Sequence, residues 1–294
     1  MGEFYALASA MVWAVAVLFL RKSGELIPPF ALNIFRVTVT TPLLILSVVA
    51  AGQPLISGAP PADYLILAAS GIISIAISDT LLHHSINLIG AGLSAISCSV
   101  YAPIVTLIAF LLLGESLGPW QFGGMALVVV AIITAAKHTP PKGTRPGQIL
   151  KGVLYGAGAM ATVGFGIVIA KPVLLRSPVL WATMVRQAGS LAVMLPLALI
   201  LPHRKRFFSV FRPSRSWRFS LTATMLGSYA SLILWVAGFK YALSGVAAIL
   251  NQTSTIFILL FASLFLGEPI TKRKSLAAGL AIAGILMVTL GPRP

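Results

Sequence analysis

Apolar residues fall along this chain in blocks of roughly 20, separated by short joints of Pro, Gly and basic residues. A block of about that length is what an α-helix needs to cross the ~30 Å hydrocarbon of a bilayer. Ten blocks are predicted as spans, near residues 3–20, 28–50, 64–86, 91–113, 119–136, 149–170, 178–201, 218–238, 244–266 and 275–291. The pattern does not alternate in segments of about ten residues, so it predicts spanning helices and not a transmembrane barrel. The first block, "MGEFYALASAMVWAVAVLFLRK", lacks a basic start and outruns the apolar region of a secretory signal. It is expected to remain as the first span. Position 6 is Ala where a myristoylation motif needs Ser or Thr.

The link "KHTPPKGTRPGQILK" (Lys137–Lys151) divides the blocks into two sets of five. The expected organisation is a first five-helix repeat over residues 1–136, a basic Pro/Gly linker at 137–148, and a second five-helix repeat over 149–294. The halves echo one another. "GEFYALA" at Gly2 aligns with "GVLYGAG" at Gly152 at an offset of 150, which also places Pro28 on Pro178 and Arg36 on Arg186. At an offset of 153, "FLLLGESL" (Phe110–Leu117) falls on "SLFLGEPI" (Ser263–Ile270). An odd number of spans per half makes the halves insert with opposite orientation. Inverted repeats recur in secondary carriers, whose substrate sits near the midplane between the repeats.

Ten spans in two halves, each with LGE at the end of its fourth span, resemble the EamA branch of the drug/metabolite transporter superfamily. The stretch "AGLSAISCSVYAPIVTLIAFLLLGESLGPWQFGGMALVVVAII" is similar to that family's small-residue fourth span, proline, LGE and Gly-rich fifth span. The resemblance runs over essentially the whole chain. It implies an all-α integral protein of the inner (plasma) membrane, a multi-pass carrier that exports small molecules, within a family of many substrates. One departure stands out: Pro103 matches the fourth-span proline, but the corresponding ninth-span position is Ile256. A kink there needs another cause.

Composition agrees with a bilayer setting. Hydrophobic residues make up 58% of the 294, charged residues only 9%, and mean hydropathy is +0.97, against about 25% charged in a soluble domain. The net charge of +15 would point to nucleic acid in a soluble protein. Here the basic residues sit in joints between spans, where anionic lipid accounts for them, so the expected partners are the lipid bilayer and a small-molecule substrate, with no nucleic acid. The joints after odd-numbered spans hold most of these basic residues, including Arg21, Lys22 and the "HRKRFFSVFRPSRSWR" stretch. The positive-inside rule then places both termini outside, although relatives of this kind are usually drawn with both termini inside. The single cysteine, Cys98, excludes an internal disulfide and a multi-cysteine metal site. No Walker motif appears, the glycines of "GAGAMATVGFG" lie inside a span, and neither a cofactor nor a metal is expected.

Three charged residues stand well inside the spans: Arg36, Asp79 and Arg186. Each costs roughly 2.5–3.5 kcal/mol at the bilayer centre even on insertion scales. Arg36 lies ~21 Å before the end of the second span and Asp79 ~22 Å after the start of the third, at 1.5 Å per residue. They share a depth, and an Arg36–Asp79 ion pair or gate is expected. The position matching Asp79 in the second half is Leu232, so Arg186 has no evident acid. It is the leading candidate to receive an anionic group such as a substrate carboxylate, which suits guanidinium geometry. The alternative is that Arg186, ~12 Å from its nearer interface, snorkels or bonds backbone carbonyls.

Asn251 and Gln252 in "NQTST" are expected to line the cavity, since such a run facing lipid would be penalised. Tyr101 and the serines Ser94, Ser97 and Ser99 lie in the matching region of the fourth span; small hydroxylated residues also serve to pack helices. Trp13 and Trp235, well within their spans, and Tyr101 offer aromatic contact to a substrate, whereas Trp181 near a helix end suits an interfacial anchor. His83 shares a helix face with Asp79 and could relay protons. No arrangement of catalytic groups converges, so the chain is read as a carrier of a small metabolite such as an amino acid and not as an enzyme. The alternative is proton-coupled efflux of lipophilic cations through Asp79 and His83.

Overall fold

The computed structural model describes residues 1–24, 28–135, 144–202, 204–213, 217–266 and 272–292. Glu268 of the second LGE, His138 and His203, and the linker from 136 to 143 lie outside the described residues. Among the described residues every regular element is helical. The spans are α1 (Gly2–Gly24), α2 (Pro29–Ala50), α3 (Pro61–Gly90), α4 (residues 91–113), α5 (Pro119–Ala135), α6 (Pro146–Arg176), α7 (Val179–Ile200), α8 (Trp217–Tyr241), α9 (residues 244–266) and α10 (Lys272–Leu290). Among the described residues, seven helices are long and apolar enough to cross a membrane on their own; α5 and α10 are shorter, and α9 is broken in two.

Proline starts several of these helices. Pro29, Pro61 and Pro146 occupy the first turns of α2, α3 and α6, where the missing N–H would have no partner and the fixed φ favours the helix. The sixth span is longer than the pattern of apolar residues predicts, running to Arg176 instead of ending near 170. Lys171, which reads as a joint residue in sequence, therefore lies within α6 and is buried. Its ammonium finds partners inside the protein, so its charge does not end the helix.

The halves are related by a two-fold exchange. Helix α1 packs on α8 and α9, as α6 packs on α3 and α4; α2 crosses α7, α4 meets α9, and α5 lies along α10. Exchanging α1 with α6, α2 with α7, and so on maps this set onto itself, and five spans per half make the repeat inverted. Local irregularities repeat as well. Wide π-type turns occupy Ile72–Ile77 of α3 and Thr224–Ser231 of α8. Ser78 of α3 donates to the Ala159 carbonyl of α6 at 2.8 Å, and its counterpart Ser231 of α8 bonds Ser9 of α1 at 3.1 Å. Hydroxyl groups of this kind hold apolar helices together where hydrophobic burial gives no net drive.

Helix α4 breaks at residues 99–100 and α9 at Thr253. In α4 the break precedes Pro103, which has no N–H to return to Ser99. Position 256 of α9 is Ile, yet the break recurs. There the N–H and hydroxyl of Thr253 both return to the Leu250 carbonyl and Gln252 donates across to the Cys98 carbonyl of α4 at 2.8 Å, so side chains add to the backbone's bonding at the break. The two broken helices thus meet at their breaks.

Helices α3 and α7 approach most closely at Gly71, where a Cβ would overlap the backbone carbonyl of Arg186. Backbone cannot swing aside as a side chain can. Gly71→Ala is expected to push α7 away and to destabilise the protein by about 1–3 kcal/mol, read as a lower melting temperature in detergent. An unchanged melting temperature would mean that α7 shifts freely at this point.

Candidate functional site

Arg36 stands in the middle of α2 and is buried. Its Nη1 lies 3.6 Å from Asp79 Oδ2, and its Nε donates to Ser228 Oγ at 2.6 Å. The guanidinium also sits 5.6 Å from the centroid of Trp13. Ser228 belongs to the wide turn of α8 and Asp79 follows the wide turn of α3. A wide turn pushes its residues away from the regular helical stack, and here both turns present polar groups to the same arginine.

Arg186 is the counterpart on α7 and only 1% exposed. Its Nη2 donates to Ser74 Oγ at 3.3 Å, and its guanidinium lies 5.3 Å from the centroid of Trp235. Ser74 lies in the wide turn of α3. The arrangement is therefore crosswise: each arginine bonds a serine from the wide turn of the opposite half. The difference lies in what remains. Nε and Nη1 of Arg186 have no hydrogen-bond partner, and among the described residues no carboxylate stands within ion-pair distance of it. The Tyr101 hydroxyl of α4 is buried beside Arg186 and the Trp235 indole, and its own proton has no acceptor. Leaving one buried polar group unsatisfied costs about 1–3 kcal/mol, and more for a charged one. Three unfilled donor groups in one cluster make an arrangement suited to an anion.

The other candidates are placed as follows. Trp235 packs at a tilt against Phe239, with centroids 5.0 Å apart, and its ring faces the Arg186 guanidinium. Asn251 donates to the Ala247 carbonyl of its own helix at 2.8 Å. Gln252 joins α9 to α4 through Cys98 and keeps its Oε1 unpartnered. His83 Nδ1 meets the backbone carbonyl of Asp79, not its carboxylate. Ser94 pairs with Ser85 at 3.0 Å, while Ser97 and Ser99 return to carbonyls of their own helix. Trp181 donates to the Leu55 carbonyl at 3.1 Å and packs edge-on to Tyr64.

Two groups of residues escape the sequence reading. Gln187 donates to Thr40 Oγ1, one turn beyond Arg36, with its own Oε1 unpartnered, and so couples the two arginine-bearing helices. Its position beside Arg186 within a span was the available signal. The other is a buried pair between Lys171 and Glu115, at 2.5 Å. Its partners are 56 residues apart in the chain, and no periodicity connects them.

The whole architecture has known counterparts. A solved structure, described only as a crystal structure of a protein, superposes on this chain with a TM-score of 0.82 at 16% identity, covering 98% of this chain and 96% of its own; that is a likeness of fold. No curated protein matches the sequence. Residues 1–136 and 150–290 match the EamA-like transporter family. With both halves matched and ten helical spans related by an inverted repeat, the chain belongs to the EamA-like transporter family, whose members are membrane transporters of small molecules.

Proposed function

We propose that the protein is a secondary-active exporter of a small carboxylate-bearing metabolite, such as an amino acid, in the inner (plasma) membrane, and that Arg186 receives the carboxylate. The observation that carries this reading is the state of Arg186: buried, without an acid, and with two guanidinium nitrogens unfilled. A carboxylate offers two acceptor oxygens in one plane and matches the guanidinium fork. Ser74 and Trp235 hold the arginine on one edge and one face, so a ligand approaches along a free edge. Tyr101 adds a hydroxyl donor, and Gln252 an unfilled acceptor near the meeting of α4 and α9. Asn251 and Trp13 complete the set of substrate contacts in this reading, with Arg36 and Asp79 as a gating pair beside it.

Transport follows from alternating access. A substrate that neutralises Arg186 removes the main electrostatic obstacle to closing apolar helices around the site. The two sets of helices then rock about the site, exposing it to one face at a time. The termini-bearing face is external in this reading, because basic residues gather at the other face. A C-terminal reporter that works only in the cytoplasm would overturn that orientation.

The test is a thermal-stability screen of purified protein against amino acids, organic acids, nucleobases and cationic dyes, run beside Arg186→Ala. A true ligand stabilises by about 2.7 kcal/mol at a hundredfold excess over its Kd. Carboxylate compounds should stabilise the parent and not the variant. Stabilisation of both by cationic dyes alone would favour the efflux reading through Asp79 and His83.

A further inference from the structure

The face that carries both chain termini holds a second polar cluster. Helix α4 ends at Gly114, whose φ of +67° is left-handed, and the N–H groups of Gly114 and Glu115 close the carbonyls of Phe110 and Ala109. A glycine permits that reversal at no steric cost, and Glu115 follows it directly. Glu115 Oε1 lies 2.5 Å from Lys171 Nζ of α6, and Glu115 Oε2 accepts from the backbone N–H of Ser244 at 2.6 Å. Lys171 Nζ also donates to the Ala242 carbonyl at 2.7 Å and to Ser244 Oγ at 3.1 Å. Lys171 and Glu115 side chains are only 6% and 15% exposed. Close by, Lys240 donates to the Ser177 carbonyl at 2.6 Å.

These bonds join two sets of helices. Helices α3, α4 and α6 pack together, as do α8, α9 and α1. Lys171 and Glu115 belong to the first set; Ala242 and Ser244, the joint between α8 and α9, belong to the second. Lys240 and Ser177 add a second link between α8 and the joint after α6. The charges themselves sit in one set and neutralise each other. When the sets part, the pair need not break: only the neutral groups of the α8–α9 joint are released to water. Such a contact closes tightly yet opens without exposing an isolated buried charge.

We propose that Lys171 and Glu115 form a clasp that grips Ser244 and Ala242 and gates the termini-bearing face of the carrier. The proposal rests on the alternating-access reading and is independent of what Arg186 binds. The clasp is formed in this structure, so that face is closed. Opening consists of release of the α8–α9 joint from the clasp.

The test needs no substrate. A reporter cysteine replaces Thr106, which packs on Gly245 just past the clasped serine and about two and a half turns before Glu115, in a Cys98→Ser background. Membrane-impermeant maleimide is applied to sealed vesicles from the termini-bearing face, and the labelling rate is measured. Ser244→Pro removes the N–H and the hydroxyl together, at a helix position where proline is favoured and after Leu243, whose ψ of 140° already suits it. Losing these charge-assisted bonds shifts a two-state equilibrium by about tenfold or more. Ser244→Pro and Glu115→Gln should therefore speed labelling by about tenfold, and Lys240→Met by less. A measurable parent rate that Ser244→Pro leaves unchanged overturns the gate while leaving the carboxylate site untouched. If Glu115→Gln fails to accumulate, Ser244→Pro decides alone. Labelling absent from that face in every variant overturns both the gate and alternating access there.

Discussion

Replacing Arg186 by methionine is expected to raise the melting temperature of the ligand-free protein and to abolish its stabilisation by carboxylates. The two effects have one cause. Arg186 is 1% exposed and is held by one serine at 3.3 Å and by the face of Trp235. Those contacts return part of the desolvation penalty, which amounts to several kcal/mol for an ion after relaxation; the cation–π contact returns about 2 kcal/mol when desolvated. Methionine keeps the length of the stem and removes the charge. The ligand-free variant should be more stable by about 1 kcal/mol or more. With a carboxylate bound, the parent gains a charge-assisted fork that the variant lacks. Truncating one member of such a pair costs about 2–5 kcal/mol, or at least thirtyfold in Kd. Arg186→Lys keeps the charge without the fork and should fall between. Thermal melts with and without ligand check all three. A lower melting temperature for the empty Arg186→Met variant would mean that the protein itself satisfies the arginine and that no anion is needed there.

Asp79→Asn is expected to act with the opposite sign. Arg36 has an acid 3.6 Å away and a serine on its Nε. Neutralising Asp79 strands the arginine within α2. Breaking a buried pair by removing one partner costs about 3–5 kcal/mol, and the 24% exposure of the Asp79 side chain places the expected loss at the lower end or somewhat below it. The decisive comparison is the double variant Arg36→Gln/Asp79→Asn, which removes both charges and should recover most of the loss. A cycle with no coupling energy would show that the two groups do not depend on one another. The same cycle bears on proton coupling. If Asp79→Asn is nearly neutral for stability yet ends transport, the acid serves protonation, and the efflux reading gains.

The contrast between the two arginines shows where sequence reasoning reaches and where it stops. Counting 1.5 Å per residue along antiparallel neighbours sets Arg36 and Asp79 at one depth, and their side chains stand 3.6 Å apart. The missing acid at Leu232 points to Arg186 as the unmatched charge. The bonds to Ser228 and Ser74 were out of reach. They depend on wide turns at Thr224–Ser231 and Ile72–Ile77, and nothing in the composition of those segments separates a π-type turn from an ordinary one. Asn251 and Gln252 were legible as polar residues inside a span, but Asn251 turns back on its own helix at Ala247, and the bond of Gln252 to Cys98 sits at the break at Thr253, which no proline announces. The Lys171–Glu115 clasp was hidden for another reason. Lys171 marks the end of an apolar run in sequence, and only the packing of α6 against the α8–α9 joint buries it.

By itself, then, the sequence determined the ten helical spans, their division into two repeats and the family, because a bilayer leaves a chain few choices. Every backbone group must be bonded within its own segment, and each segment must be apolar over the same thickness, so period and length can be read directly from residues. The tertiary structure alone decided which polar groups meet inside: the crosswise serines, the unfilled edge of Arg186 and the clasp at Ser244. Those meetings join residues 56 to 192 positions apart. They are set by helix crossings at glycines such as Gly71, where a Cβ would overlap the backbone of Arg186. That is information carried by packing, not by pattern.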